Sequence, residues 1–192
     1  MQLEGAVDKS LSILDFLEDL RPGVAPVHLL LRPRRSGKST LLRLTNEFLQ
    51  RGGPGDVLER RTYFSGRAIA KEEDAVEKHF ANIVFLLDLT NVIANDMPGL
   101  RNAFLSAVKY SVSDMKCTGC FSNAAELDAH DGSFLRELLG VATPLSDELD
   151  AGTILRDISR IVYKLSKRPM VFMMDEYDSP IAYAAEHGCH DE

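Results

Sequence analysis

The 192-residue chain lacks a long uninterrupted apolar segment, and it also lacks an excess of positive charge. Since no apolar run approaches about 18 residues, no membrane-spanning helix is expected. Residues 1–4 contain no basic segment that leads into a long apolar stretch, so no secretory signal is predicted. The formal net charge of -7 argues against bulk electrostatic binding to nucleic acid. We therefore expect an intracellular protein, cytoplasmic or nuclear, that does not bind a membrane.

Cysteine is scarce, and the three cysteines of the chain cannot all pair with one another. An odd number fits a reducing compartment better than secretion. Cys117 and Cys120 have the spacing of two zinc ligands, and His130 follows them. A four-ligand site would still need a distant partner such as Cys189 or His190. Ordinary free thiols are therefore the default expectation.

A basic loop that contains glycine follows the first predicted strand, which spans residues 27–31. Residues 32–39 read Arg-Pro-Arg-Arg-Ser-Gly-Lys-Ser, and an apolar-periodic segment to about residue 50 predicts a helix after them. A strand, a tight loop and Gly-Lys-Ser at a helix start form the phosphate-binding arrangement of P-loop nucleotidases. The first turn of such a helix has unpaired N–H groups and a positive dipole end, which suit a phosphate.

The residues of this Walker A segment have predicted roles. Lys38 is expected to reach the β- and γ-phosphates, and the Ser39 hydroxyl is expected to bind Mg²⁺. The other predicted nucleotide-binding residues are Arg34, Arg35, Ser36, Gly37 and Thr40. A triphosphate is the economical partner for this local basic cluster, and another acidic ligand is the alternative. The usual motif has glycine where Arg32 stands, so a basic loop before an ordinary helix is a second interpretation.

A second apolar strand ends in two adjacent carboxylates. Residues 170–174 form an apolar run without alternation, which is typical of a strand buried on both faces of a parallel sheet. Ligands of open α/β sheets bind at the carboxyl ends of strands, so Asp175 is predicted to bind Mg²⁺. Glu176 is the candidate base that orients and polarises the attacking water. The alternative is a strand that ends in a solvated acidic turn.

Together, the two segments resemble those of a known family. The sequence is similar to the predicted AAA-ATPase-like family, whose members carry Arg-Pro-Arg-Arg-aromatic-Gly-Lys in the loop and Asp-Glu-Tyr-Asp after the second strand. The similarity extends to residues 7–10, 63–69, 79–80 and 83–88. The family has arginine at the position of Arg32, which accounts for the missing glycine. Ser36 stands where the family usually has an aromatic residue.

The resemblance implies an α/β fold of the P-loop NTPase type with an additional strand and a catalytic glutamate. Such a fold has a parallel sheet with helices on both faces, and one further strand lies between the two motif strands. Because that strand follows the second motif in sequence, residues 1–192 are expected to form a single, C-terminally incomplete domain, with Walker A at 32–39 and Walker B at 170–176. The open sheet then predicts self-association and weak or absent turnover. A nucleic acid partner is expected only through the restriction-nuclease-like region that many members carry.

The leading functional prediction is a module that binds ATP and Mg²⁺ and hydrolyses ATP to ADP and phosphate. The alternatives are a nucleotide-binding switch without significant turnover, a small-molecule kinase and a degenerate copy without activity. Glu176 beside Asp175 favours hydrolysis over the kinase. The residues do not distinguish ATP from GTP.

Periodicity and turn residues predict the remaining elements. A first helix begins near Ser10, and residues 51–55 form a break. Further elements are predicted at residues 83–89 (strand) and at 100–115, 133–139 and 146–167 (helices). Ser179 is the predicted N-cap of a last helix, and Tyr177 is predicted to pack. Asp88, at the end of a strand, is predicted to have a capping role, and a place near the Mg²⁺ ion is the alternative.

Overall fold

A computed structural model describes residues 8–17, 27–30, 36–52, 54–73, 75, 81–115, 119–140, 149–168 and 170–187. Arg34 and Arg35, two of the predicted nucleotide-binding residues, therefore lie outside the described part. The chain divides into two compact units, Met1–Asn82 and Ile83–Glu192.

The first unit is helical in its described part. Its elements are a 3-10 turn Ser10–Ile13, α1 (Leu14–Leu17), α2 (Lys38–Leu49), α3 (Pro54–Ser65) and a 3-10 turn Ala68–Lys71. The helix predicted after the basic loop is confirmed as α2, and Leu41 and Phe48 lie on its buried side. Those two side chains recur at helical spacing, which is why the sequence indicated this helix.

The predicted strand at residues 27–31 is wrong for the residues that the structure describes. Residues 27–30 have no strand conformation, and Val27 and Leu29 are 94% and 61% exposed. Leu31 lies outside the described residues. A strand is stable only when its backbone groups pair and its side chains pack against a neighbour. Apolar composition alone was therefore not enough to predict a strand at these residues.

Helix α3 was not predicted, because the glycines and the proline of residues 51–55 suggested a longer break. The break covers Arg51 and Gly52, and Pro54 is already the first residue of the helix. Proline is favoured at that position, since its missing N–H has no partner to lose in the first turn. Phe64 of α3 packs edge-to-face on Phe48 of α2, with ring centroids 5.2 Å apart.

The second unit contains strands and helices. Its elements are β1 (Ile83–Asp88), α4 (Met97–Met115), a 3-10 turn Ala124–Glu126, α5 (Ala129–Leu139), α6 (Ile154–Ser166), β2 (Met170–Asp175) and α7 (Ser179–His187). All of these strands and α-helices match predicted elements, with shifted bounds. The largest correction is at α6, which begins at Ile154, since the described residues 149–153 form irregular backbone and a turn.

The two strands form a parallel ladder. Ile83 lies opposite Met170, and Asp88 lies opposite Asp175. The α/β class and the parallel pairing are therefore confirmed. The prediction that the second strand is buried on both faces is wrong, because Phe172 and Met174 are each 44% exposed. That helices cover both faces of the sheet stays a prediction.

The core of the second unit lies on one face of β1. Ile83, Phe85 and Leu87 point to this face, since alternate residues of a strand share a side. They pack with buried residues of α4, α5 and α6, and each such side chain contributes about 1.5–3 kcal/mol. None of the described helices is both long enough and apolar enough to cross a bilayer.

An ionic cluster joins α5 to α6. Asp131 is 1% exposed and accepts hydrogen bonds from Arg160 Nη1 and Nη2 at 2.8 and 2.7 Å. Lys164 donates to the same carboxylate. The Arg160 hydrogen bonds hold the pKa of Asp131 well below its usual range; burial opposes them, and Lys164 adds to them.

Candidate nucleotide-binding site

The end of the basic loop has the conformation that only glycine adopts easily. Gly37 is the N-cap of α2 with a φ of 82°, in the left-handed region. Its carbonyl accepts the first hydrogen bond of the helix, from Leu41 N at 2.9 Å. A Cβ at this position would lie 2.8 Å from Lys9 Nζ. The backbone angle therefore favours glycine at position 37, whereas the flexible end of Lys9 could move away from a Cβ.

The first turn of α2 contains Lys38, Ser39 and Thr40. Lys38 and Ser39 are half-buried, and Thr40 is exposed. Gly37, the N-cap, has no side chain that could accept hydrogen bonds from the N–H groups of this turn. The positive end of the helix dipole also lies at this turn. This arrangement can bind an anion through backbone N–H groups and a lysine.

Ser36 precedes the cap and carries an orphaned polar atom. Its Oγ is buried and has no hydrogen-bond partner among the described residues. Its carbonyl oxygen accepts a hydrogen bond of 2.7 Å from Lys9 Nζ. A buried hydroxyl without a partner is unfavourable, and a phosphate oxygen would provide one. The Ser36–Ser39 segment therefore fits a phosphate by the chemistry of its donors.

An open cavity of about 510 Å³ lies along the exposed side of α2. Its lining residues are Ser39, Thr40, Arg43, Leu44, Glu47 and Tyr63. Two predicted nucleotide-binding residues thus border space that a ligand can enter. Sequence analysis gave Tyr63 no role. Its ring lies 4.6 Å from the Arg67 guanidinium carbon, and its hydroxyl accepts a 2.6 Å hydrogen bond from Arg67 Nη2.

The carboxylates of the second unit lie at the carboxyl ends of its two strands. Asp175 is the last residue of β2 and lies opposite Asp88 in the ladder. Asp88 Oδ1 accepts hydrogen bonds from Thr90 N and Oγ1 at 2.9 and 2.5 Å. The capping role predicted for Asp88 is therefore confirmed. Asp175 is half-buried, and its Oδ1 accepts a 3.1 Å hydrogen bond from Glu176 N.

Glu176 adopts an unusual backbone conformation for a non-glycine residue. Its φ is 51°, in the left-handed region, and its side chain is exposed. This conformation costs a non-glycine residue about 1–2 kcal/mol. The Glu176 carbonyl accepts a 3.0 Å hydrogen bond from Ser179 N, which completes the turn into α7. Strain of this kind is concentrated at functional sites, so the angle supports a role for this turn.

Two predictions near this turn need correction. Ser179 is already the first residue of α7, and the Asp178 carbonyl accepts the first helical hydrogen bond, from Ala182 N at 2.8 Å. The N-cap therefore lies one residue earlier than predicted, as a terminal position often does. Tyr177 is 47% exposed, so the prediction that it packs is wrong.

The predicted site residues divide between the two units. Ser36, Gly37, Lys38, Ser39 and Thr40 lie together in the first unit, and Asp175 and Glu176 are adjacent in the second. Their individual roles stay predictions.

The predicted magnesium ligands have suitable chemistry. Mg²⁺ prefers oxygen ligands, and the Ser39 hydroxyl and the Asp175 carboxylate provide them. If bound, the ion would neutralise charge on the phosphates.

The described residues do not test the alternative zinc site, because three of its candidate ligands lie outside them. No group of three or more His, Cys, Asp or Glu side chains with metal-binding geometry occurs there. Cys120 is buried, and its Sγ lies 3.5 Å from the Met115 carbonyl oxygen. Cys117, Cys189 and His190 lie outside the described residues.

Sequence analysis assigned no role to Lys9, although its ammonium donates a hydrogen bond to the Ser36 carbonyl. Nothing in the spacing connects positions 9 and 36, because only the folded chain brings them together. A local pattern could not have revealed this contact.

One of three comparisons with known proteins gives a match. Residues 6–191 match the profile of a family described as Predicted AAA-ATPase. A search of curated proteins and a search of solved structures each give no match. Since the family match covers nearly the whole sequence, the chain belongs to the AAA-ATPase-like family.

Proposed function

We propose that the chain binds ATP together with Mg²⁺ and hydrolyses it: ATP and water give ADP, inorganic phosphate and a proton. The observation that carries the proposal is the start of α2. A left-handed Gly37 is followed there by Lys38 and Ser39 in the first turn of a helix. Membership in a family described as Predicted AAA-ATPase supports the same activity. The fold we propose is the P-loop type with a catalytic glutamate.

In this proposal the first unit binds the phosphates. Lys38 neutralises charge on the β- and γ-phosphates, and the N–H groups of the first turn of α2 donate to their oxygens. Ser36 and Thr40 add hydroxyl donors, and Arg34 and Arg35 add positive charge. The Ser39 hydroxyl would supply one oxygen ligand to Mg²⁺, and the Asp175 carboxylate has the same ligand chemistry.

The carboxylates of the second unit provide the hydrolytic function. Glu176 orients the attacking water and accepts its proton, which is general base catalysis. The exposed position of Glu176 and its left-handed backbone support this assignment. Phosphoryl transfer needs little covalent chemistry from the protein, so positioning and charge neutralisation account for most of the catalysis.

Two substitutions separate binding from hydrolysis. Lys38→Ala removes a charged phosphate ligand, so we expect ATP affinity to fall by about 10- to 100-fold. Glu176→Gln keeps the size and a hydrogen-bonding group but cannot accept a proton, so we expect binding to persist while turnover falls by at least about 100-fold. Titration calorimetry and phosphate release measure the two quantities.

Matched controls exist in each unit. Lys71 and Glu186 are exposed residues of the 3-10 turn Ala68–Lys71 and of α7, and we expect Lys71→Ala and Glu186→Gln to change neither quantity. ATP binding without turnover in the wild-type chain would instead identify the nucleotide-binding switch. A Glu176→Gln protein that still phosphorylates an added small-molecule acceptor would identify the kinase.

A further inference from the structure

Two residues near the start of the chain, Asp8 and Ser10, attach to another segment of the first unit. The Asp8 carboxylate accepts hydrogen bonds from Ala68 N at 2.8 Å and from Ser10 N at 2.9 Å. Ser10 is completely buried, and its Oγ accepts a 3.2 Å hydrogen bond from Ile69 N. The residues on both sides of Lys9 are therefore fixed to the turn that begins at Ala68.

The ionisation of Asp8 supports the same attachment. Burial raises the pKa of its carboxyl group, but hydrogen bonds from the N–H groups of Ala68 and Ser10 outweigh it and hold the pKa below its ordinary value. Arg67 adds a favourable charge, with its Nη1 3.8 Å from Asp8 Oδ1. Asp8 is thus ionised at neutral pH, when it accepts these bonds most strongly.

Lys9 reaches from this fixed segment to the phosphate loop. Its ammonium donates a 2.7 Å hydrogen bond to the Ser36 carbonyl and lies 2.8 Å from the position that a Gly37 Cβ would occupy. A hydrogen bond from a charged donor is about twice as strong as a neutral one. Because Asp8 and Ser10 already hold the backbone on either side, this bond requires little ordering beyond the Lys9 side chain.

We propose that Lys9 is a positioning residue that holds the Ser36–Gly37 turn in the conformation that accepts phosphate. The proposal rests on the proposed function and adds a residue to it. Lys9 acts through the backbone of the loop, and it leaves the hydrolytic groups unchanged. Loss of the ammonium allows the turn to adopt other conformations. Affinity for ATP then falls, because only a fraction of the molecules has the competent loop, whereas the rate of hydrolysis of bound ATP stays the same.

The test compares Lys9→Met, Lys9→Arg and the wild type, with Lys71→Met as the matched control. Lys71 is an exposed lysine of the same unit. We expect Lys9→Met to weaken ATP·Mg²⁺ binding about tenfold, equivalent to about 1.4 kcal/mol. The single-turnover rate at saturating ATP should stay within about twofold of wild type. Lys9→Arg should recover much of the affinity, because it keeps a charged donor, and Lys71→Met should change nothing.

Amide hydrogen exchange without nucleotide is the second readout. We expect faster exchange at residues 37–41 in Lys9→Met but not in Lys71→Met. This readout also separates the two proposals: if the wild-type chain binds no ATP, the proposed function fails, and the exchange difference alone decides the role of Lys9.

Equal exchange in Lys9→Met and wild type overturns the inference, as does a lower single-turnover rate with unchanged affinity. If Lys9→Met fails to fold, as judged by circular dichroism, Lys9→Gln takes its place, because it keeps a polar side chain without the charge. Faster exchange at residues 37–41 in Lys9→Gln then supports the inference, and exchange and affinity equal to wild type overturn it.

Discussion

Two residues of the candidate site, Gly37 and Glu176, have a backbone φ in the left-handed region. For Gly37 the residue type fits the angle, since glycine adopts it without steric cost. For Glu176 the residue type does not fit the angle, and the exposed side chain gains no packing energy that would offset the strain. The sequence therefore keeps glutamate at a position where glycine would be more stable, which is expected if the carboxylate has a chemical role.

Replacing Glu176 with glycine tests this conflict between stability and function. Relief of the left-handed conformation should outweigh the entropy of glycine in the unfolded chain, so the free energy of unfolding should rise by about 0.5–1 kcal/mol. ATP turnover should be lost at the same time. Chemical denaturation and phosphate release measure the two effects.

Lys167 provides the matched control for Glu176. Lys167 is the C-cap that directly follows α6, and its φ is 57°. Glycine is the common residue with this conformation at helix ends. We expect Lys167→Gly to stabilise the chain by a similar amount without any change in turnover. Stabilisation by Lys167→Gly together with destabilisation by Glu176→Gly would mean that Glu176 is not strained.

The helix start at the basic loop was predictable because its sequence signal is local, whereas the roles of its residues stay predictions. Gly37, Lys38 and Ser39 were identified from their order alone, and they open a helix as expected. The contact of Lys9 with Ser36 could not be predicted, because it joins two segments that are distant in sequence. Arg34 and Arg35 lie outside the described residues, so their predicted roles stay predictions.

At the scale of elements, the contact between α5 and α6 depends on a buried charge. Asp131 is bound by Arg160 and Lys164, whose side chains are 41% and 44% exposed. Asp131→Asn removes the charge that both cations face, so we expect a loss of about 2 kcal/mol in the free energy of unfolding at pH 7. Asp114→Asn, at an exposed position of α4, should have little effect.

The Asp131 contribution should depend on pH. The Arg160 hydrogen bonds lower the pKa of Asp131 in the folded state, so its stabilising effect is complete above the unfolded pKa of about 3.9. It is lost as the pH falls from about 4 toward the lower folded pKa. The difference in unfolding free energy between wild type and Asp131→Asn should therefore shrink between pH 5 and about pH 2. An undiminished difference across that range would contradict the assignment.

The two strands should respond differently to the same substitution. Phe85 of β1 is 0% exposed, whereas Phe172, its partner on β2, is 44% exposed. We expect Phe85→Ala to cost about 3–5 kcal/mol, because it leaves a cavity in the core. Phe172→Ala should cost much less, since water already reaches its ring. Similar losses in urea denaturation would show that Phe172 is buried in solution.

Elements were predictable where periodicity coincided with burial. Helix α6 could be predicted because its apolar residues recur at helical spacing and are buried on one side, as are Ile154, Ile158 and Ile161. Residues 27–30 show the opposite case, because they are apolar but have no strand conformation. Strand formation depends on a pairing partner, which local sequence does not specify.

At the scale of the whole molecule, the two units have different elements. The first is helical in its described part, and the second contains the parallel ladder. The predicted phosphate-binding residues belong to the first unit, and the predicted hydrolytic carboxylates belong to the second. Binding and turnover should therefore respond to substitutions in different halves of the sequence.

Self-association is the remaining prediction at this scale. β2 pairs only with β1 within the described residues, and Phe172 and Met174 on it are exposed. Apolar strands with an open edge favour pairing with another chain. We expect sedimentation velocity to show a mass that rises with concentration and a weaker rise after Phe172→Thr with Met174→Thr. A constant monomer mass over the same concentrations would contradict this prediction.

Calorimetric titration with ATP and Mg²⁺ shows whether this chain binds a nucleotide through the start of α2. We expect micromolar binding to the wild-type chain, a loss of about 10- to 100-fold in Lys38→Ala, and unchanged binding in the control Lys71→Ala. If the wild-type chain is folded by circular dichroism but binds no ATP, or if Lys38→Ala binds ATP equally well, the start of α2 is not a nucleotide-binding site.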